Sequence, residues 1–143
     1  MTIQRYRQRI SGPLLDRIDL HVEVPLVEFR DLAKADGGET SATIRQRVEA
    51  ARAIQVARFQ GQKNVTSNSA MTPRLMKQHC QIDKAAHDIL ERAMNELNFS
   101  ARAHDRILKV ARTLADLEAK ENIDEVHLLE AINYRTLDRS LLG

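Results

Sequence analysis

Hydrophobic and polar positions divide this chain into two unlike halves. From Thr72 onward, apolar residues recur at helical spacing. Ile82, Ala85, Ala86, Ile89, Leu90, Ala93, Met94 and Leu97 make one stripe, and Ala103, Ile107, Val110, Ala111, Leu114 and Leu117 make a second. Each is the mark of a helix with a buried face. Ala101, Leu108 and Ala115 widen the second stripe beyond half of the circumference, so the helix within Ser100–Ala119 is expected to touch more than one neighbour. Its remaining arc carries Arg102, Asp105, Arg106, Lys109, Arg112 and Asp116, which predicts a basic outer ridge. Thr72 before Pro73, Ser100 and Asp124 stand where helix starts need a side-chain acceptor or can spare an N–H. Ile123 and Leu128 have the spacing of a hydrophobic staple around the last start, with Val126, Leu128, Leu129, Ile132 and Tyr134 expected to face inward. The reading from Thr72 is a bundle of about four helices.

The N-terminal half is less regular. Ser11, Gly12 and Pro13 start a turn before Leu14 and Leu15. Ile18, Leu20, Val22 and Val24 then alternate with Asp19, His21 and Glu23 until Pro25, the period-two pattern of a half-buried strand. Nothing else in the chain alternates for as long, and a single strand with unpaired edges is not stable in water. Its partners are therefore expected in a larger protein. A short helix is expected after Pro25, and a loop follows through Gly37 and Gly38. Thr40 or Ser41 caps a long helix to about Gln60, with Ile44, Val48, Ala51, Ile54 and Ala57 on one side. Arg47 and Arg58 fall near the middle of that apolar arc, so each must snorkel, meet an acidic partner or lie in an interface. Gln62–Ala70 is polar and expected to be an exposed loop.

Composition supports a helical chain: 43% of the 143 residues are hydrophobic, and aromatics are only 3% with no Trp. Cys80 is the single cysteine, which excludes an internal disulfide and fits a reducing compartment. No apolar run reaches the length of a membrane span, and the start lacks a signal-peptide core, so a cytoplasmic protein without membrane contact is expected. A net charge of +2 permits a nucleic-acid partner without requiring one.

Candidate chemistry is sparse. His79, Cys80, His87 and His104 lack metal-ligand spacing, and no metal site is expected. No activated nucleophile and no G-x-x-x-x-G-K-[ST] loop is present. Two arginines are better placed. Arg17 lies between a Pro-Leu-Leu turn and the alternating run, and Arg102 falls in the first turn of the central helix, where the helix dipole adds to its pull on an anion. A surface arginine is more often simply solvated, and from the residues alone that reading is favoured for each.

The segment TIQRYRQRISGPLLDRIDLHVEVP, together with SARAHDRILKVARTLADLE and the ending HLLEAINYRTLDR, resembles the C-terminal part of bacterial magnesium-chelatase-like AAA+ ATPases of the ComM/YifB type. The resemblance covers nearly the whole chain and is less distinctive from about Leu26 to Ala70. It implies a mainly α fold, a C-terminal AAA+ lid-type helical bundle preceded by one strand left over from the α/β ATPase core. Residues 1–25 would be the edge of that core, 26–70 a linker, loop and long helix, and 71–143 the lid. PLLDRID resembles the family's arginine-finger motif, which makes Arg17 the expected catalytic finger toward ATP on a neighbouring subunit. SARAHDRIL resembles its sensor-2 segment, with Arg102 as the nucleotide-sensing arginine, and Arg106 and Lys109 are candidates for DNA or interface contacts. The implied parent is a hexameric motor using ATP and Mg2+ on DNA, a branch-migration helicase of natural transformation. Without the upstream phosphate-binding loop this chain is expected to bind neither cofactor alone, to depend on the ATPase core of the same protein, and to be a truncated piece with Met1 as an added start. The competing readings are a non-enzymatic helical module that binds nucleic acid, and a metal-insertion motor subunit like magnesium chelatase.

Overall fold

The computed structural model describes residue 14, residues 17–26 and residues 38–135. The turn expected at Ser11–Pro13, the short helix after Pro25 and the last residues of the HLLEAINYRTLDR segment lie outside the described residues. Within them the chain forms five α-helices and one 3-10 turn: α1 Ser41–Arg58, the 3-10 turn Asn68–Ala70, α2 Pro73–His79, α3 Lys84–Glu96, α4 Ala101–Leu117 and α5 Glu125–Asn133.

Local chemistry sets each start. Thr40, Thr72, Asp83, Ser100 and Asp124 occupy the five N-caps in extended conformation, and each side chain accepts an N–H from the first turn that the helix cannot satisfy itself. At α5 the cap is reciprocal. Asp124 accepts from the His127 N–H, and the His127 ring accepts from the Asp124 N–H. The stops are equally local. Gly61, at φ 82°, takes the left-handed conformation just past α1. After α4 it is Ala119 that stands there, at φ 54°, with the Lys120 N–H closing onto the Ala115 carbonyl and the Ala119 N–H onto that of Asp116.

The core is that of a small bundle. Ile107, Ala111 and Ala115 of α4, Leu128, Ala131 and Ile132 of α5, Ala86 and Leu90 of α3, and Leu75 and Met76 of α2 are buried in one cluster that also takes in Phe59, Met71, Cys80 and Ile123. Burying a Leu, Ile or Phe side chain is worth about 1.5–3 kcal/mol each, so this cluster carries most of what holds α2–α5 together.

Several expectations are corrected. The alternating residues 18–24 form no strand, and no strand occurs among the described residues. Val22 and Val24 are exposed, and Ile18 and Leu20 nearly half so, because no neighbouring ladder is present to accept the pattern. The predicted apolar side of α1 is only partly used: Ala51 is buried, but Ile44 and Val48 are exposed, and residues 41–50 are exposed throughout. The face that does pack is Ala51, Gln55 and Arg58, continued by Phe59. On α5, Val126 and Leu129 turn outward while His127 turns in. The outer ridge of α4 is not wholly outer either, since Arg112 and Asp116 are buried.

Candidate functional site

Helix α4 carries two charged assemblies, one under α1 and one facing the N-terminal segment. The first is dry. Asp116, with no side-chain exposure, pairs through Oδ1 with Nη2 of Arg58 from α1, while Arg58 Nη1 donates to Asp116 Oδ2 at 2.7 Å and to Asn68 Oδ1 at 2.9 Å. Asn68 Nδ2 donates to the same Asp116 oxygen at 2.7 Å and to Thr113 Oγ1 at 3.1 Å. Arg112 Nε reaches Asp116 Oδ1 at 3.1 Å, and its two terminal nitrogens donate to the carbonyls of Glu121 and Lys120 at 2.6 Å each. Gln55 completes the node by accepting the Asn68 N–H at 3.2 Å. Burial by itself would raise the Asp116 carboxyl, but the hydrogen bonds from Arg58 and Asn68 and the two arginine charges together outweigh it and hold the group below the usual carboxylate range. Arg58 therefore meets an acidic partner, one of the outcomes open to it in the sequence. Arg47 instead forms an exposed bidentate pair with Glu39, at 2.6 and 2.8 Å.

A pocket of about 490 Å3 opens beside this node, lined by Ile54, Arg58, His79, Gln81, Arg112 and Lys120. Its arginines already serve Asp116 and the turn carbonyls, which leaves little to hold a ligand. Burial, and then the charges of Arg58 and Arg112, push the His79 imidazole down. Burial pushes the Cys80 thiol up to about 11, so this cysteine behaves as a small hydrophobe rather than a nucleophile.

The second assembly contains the residues singled out in the sequence. Ser100 caps α4 and places Arg102 in its first turn, exposed. Arg106, one turn on, forms an ion pair with Asp19 of the DRID sequence, and Lys109 Nζ donates to the Ser69 carbonyl at 2.9 Å. The N-terminal segment is tied at two further points. Arg135, fully buried after α5, donates from Nη1 to the Ile18 carbonyl at 2.7 Å, and the His21 N–H donates to the Tyr134 carbonyl at 2.8 Å. Arg17 lies just before these ties, exposed, with its own N–H on the Leu14 carbonyl at 3.0 Å. Beside them an apolar groove of about 320 Å3 runs between Leu20, Val110, Leu114, Leu117 and Tyr134. Of the four Arg and Lys side chains on α4, Arg102 is the one whose charged group meets no partner among the described residues, and the Arg17 guanidinium meets none there either.

The sequence reading missed Asp19 and Arg135. Asp19 lay in plain view inside the quoted motif, whereas nothing in the spacing of Arg135 distinguished it from a solvated helix-end arginine. Of the histidines and cysteine weighed as metal ligands, His79 packs edge-on against Phe59 and Cys80 is buried. The cluster of metal-capable groups among the described residues is His87, Asp88 and Glu91, all exposed on α3. No helix among the described residues is long and apolar enough to cross a membrane.

Fold and site define a class first: a mainly α, lid-type helical bundle with an extended segment strapped to its central helix. Residues 38–135 match the family described as magnesium chelatase, subunit ChlI C-terminal, and residues 1–32 match magnesium chelatase, subunit ChlI. The chain belongs to this family and corresponds to the C-terminal part of a ComM-type member. It is 44% identical over 97% of its length to the competence protein ComM of Haemophilus influenzae and 43% identical over 96% to the protein YifB of Escherichia coli. A protein of Mycobacterium bovis is 35% identical over 87% of the chain. The chain spans only about a quarter of these relatives, 26% of the first two and 25% of the third.

Proposed function

We propose that this chain is the lid and subunit-interface portion of an oligomeric ATP-driven AAA+ motor acting on DNA, with Arg17 as the arginine finger and Arg102 as the nucleotide-sensing arginine. The observation that carries this reading is the pairing of Asp19 with Arg106. It brings the segment bearing Arg17 to the opening turns of α4, where Arg102 stands one helical turn before Arg106 on the same face. Both guanidiniums are exposed and without an internal partner among the described residues, the state required of groups that meet phosphate oxygens supplied from elsewhere. ATP with Mg2+ is the cofactor that family membership suggests, and these two arginines are the residues of this chain that would touch it. Arg17 would neutralise charge developing on the transferred phosphoryl group of a neighbouring subunit, so that hydrolysis requires assembly. Arg102 would report nucleotide state to the bundle through a rigid helix.

A plain nucleic-acid-binding module is less well supported. Arg58, Arg106 and Arg112 are paired with carboxylates within the chain and Lys109 is tied to the Ser69 carbonyl, and no aromatic stacking platform accompanies them among the described residues. The DNA substrate and the branch-migration activity rest on likeness to the ComM type. The test is ATPase activity of the chain extended upstream through the phosphate-binding loop, with and without DNA, as wild type, Arg17→Ala and Arg102→Ala. Arg17→Ala is expected to lower turnover about a thousandfold or more while nucleotide still binds. Wild-type turnover in both variants would remove both assignments.

A further inference from the structure

Polar contacts from the bundle converge on residues 18–21, immediately after Arg17. Arg135 donates to the Ile18 carbonyl at 2.7 Å, Arg106 pairs with the Asp19 carboxylate, and the Tyr134 carbonyl receives the His21 N–H at 2.8 Å. They come from two different helical elements, α4 and the end of α5, so they fix both the position and the direction of the strap. Their strengths differ. Arg135 is fully buried and its donor is charged, which makes its bond to the Ile18 carbonyl shorter and about twice as strong as a neutral one. The Asp19–Arg106 pair is partly exposed, with side-chain exposures of 48% and 30%, and can open at little cost. Val22, Val24 and Leu26, further along the segment, are exposed and supply no such anchorage.

We infer that Asp19, Arg106 and Arg135 are positioning residues for Arg17: the clasp they form on residues 18–21 sets where the finger stands, and links it to the helix that carries Arg102. This rests on the reading of Arg17 given above. None of the three touches nucleotide in this scheme. Arg135 is the fixed anchor, and the Asp19–Arg106 pair is the part that opens and closes as the lid moves. A single device of this kind makes the nucleotide sensed at α4 felt at the finger without a separate relay, because Arg106 of the clasp stands one turn from Arg102 on the same helix.

Two measurements test it. In the 143-residue chain, hydrogen exchange at the His21 amide reads the clasp directly, and Asp19→Asn and Arg106→Gln are each expected to speed it several-fold while exchange in the α4 core stays unchanged. In the protein extended through the phosphate-binding loop, Asp19→Asn, Arg106→Gln and Arg135→Lys are each expected to lower kcat about tenfold with KM for ATP unchanged, the scale of a catalytic group displaced by a fraction of an ångström. The charge swap Asp19→Arg with Arg106→Asp is expected to recover most of that loss, which a merely structural defect would not permit. Wild-type kcat in Asp19→Asn and Arg106→Gln, alongside an inactive Arg17→Ala, overturns the positioning role and leaves the finger intact. Wild-type kcat in Arg17→Ala overturns the finger and this inference with it.

Discussion

The two charged assemblies on α4 use the same residue types and differ in solvent. Under α1, Asp116 is sealed between Arg58, Arg112 and Asn68, and both of its carboxylate oxygens are met by donors in the interior. At the other assembly, Arg106 and Asp19 remain partly in water. Taking charges out of water is costly unless they are paired and hydrogen-bonded, and removing one partner of a buried pair then leaves the others unpaired. An exposed pair is worth about 0.2–1 kcal/mol at most. The first assembly is thus a weld that fixes α1 on α4 in one register. The second is a latch, able to open at little cost.

The sharpest way to break this contrast is to remove the shared acceptor. Asp116→Ala strands the buried Arg112 and the part-buried Arg58 and is expected to cost about 3–5 kcal/mol in chemical denaturation, enough to free α1 from the bundle. A loss below about 1 kcal/mol would show that the node is no weld. A gentler probe is acid. The folded-state pKa of Asp116 is depressed, so the stability it contributes is complete above the ordinary aspartate value of about 3.9 and is lost as the pH falls below that through the lower folded value. The difference in melting temperature between wild type and Asp116→Asn should therefore be constant near neutrality and shrink below about pH 4. A difference that stays flat to pH 2 would contradict the assignment. The smallest effect is expected at the latch. Arg106→Gln should change global stability by about 0.2–1 kcal/mol, and less in high salt because exposed charges are screened. A loss as large as that of Asp116→Ala would erase the distinction between the two assemblies.

Much of the bundle was legible in the sequence because helix starts are local events. Ser100, Thr72 and Asp124 announced themselves by residue type and by the apolar stripe that followed, and α4 begins where Ser100 said it would. Arg17 and Arg102 were legible as candidates for the same reason, each sitting at a recognisable local feature. Arg112 and Asp116 were not. Helical periodicity places them on the polar side of α4, and only the arrival of α1 with Arg58, and of Asn68 from a stretch that read as a polar loop, turns that side into an interior. Residues 18–24 show the reverse case. Their alternation reads clearly as a strand, yet a strand exists only in its ladder, and the described residues offer none.

By itself, then, the sequence determined the helices from Thr40 onward, the caps at Thr72, Ser100 and Asp124, the central place of α4 and the two motifs that tie the chain to its family, because each depends on residues within a few positions of one another. Tertiary structure alone decided which charges are buried and which stay wet, that Arg135 holds the Ile18 carbonyl from the far end of the chain, and that Asp19 meets Arg106. Those outcomes depend on which surfaces come together, and the energy of a charge is set by the solvent that the neighbouring surface displaces, which no spacing along the chain encodes.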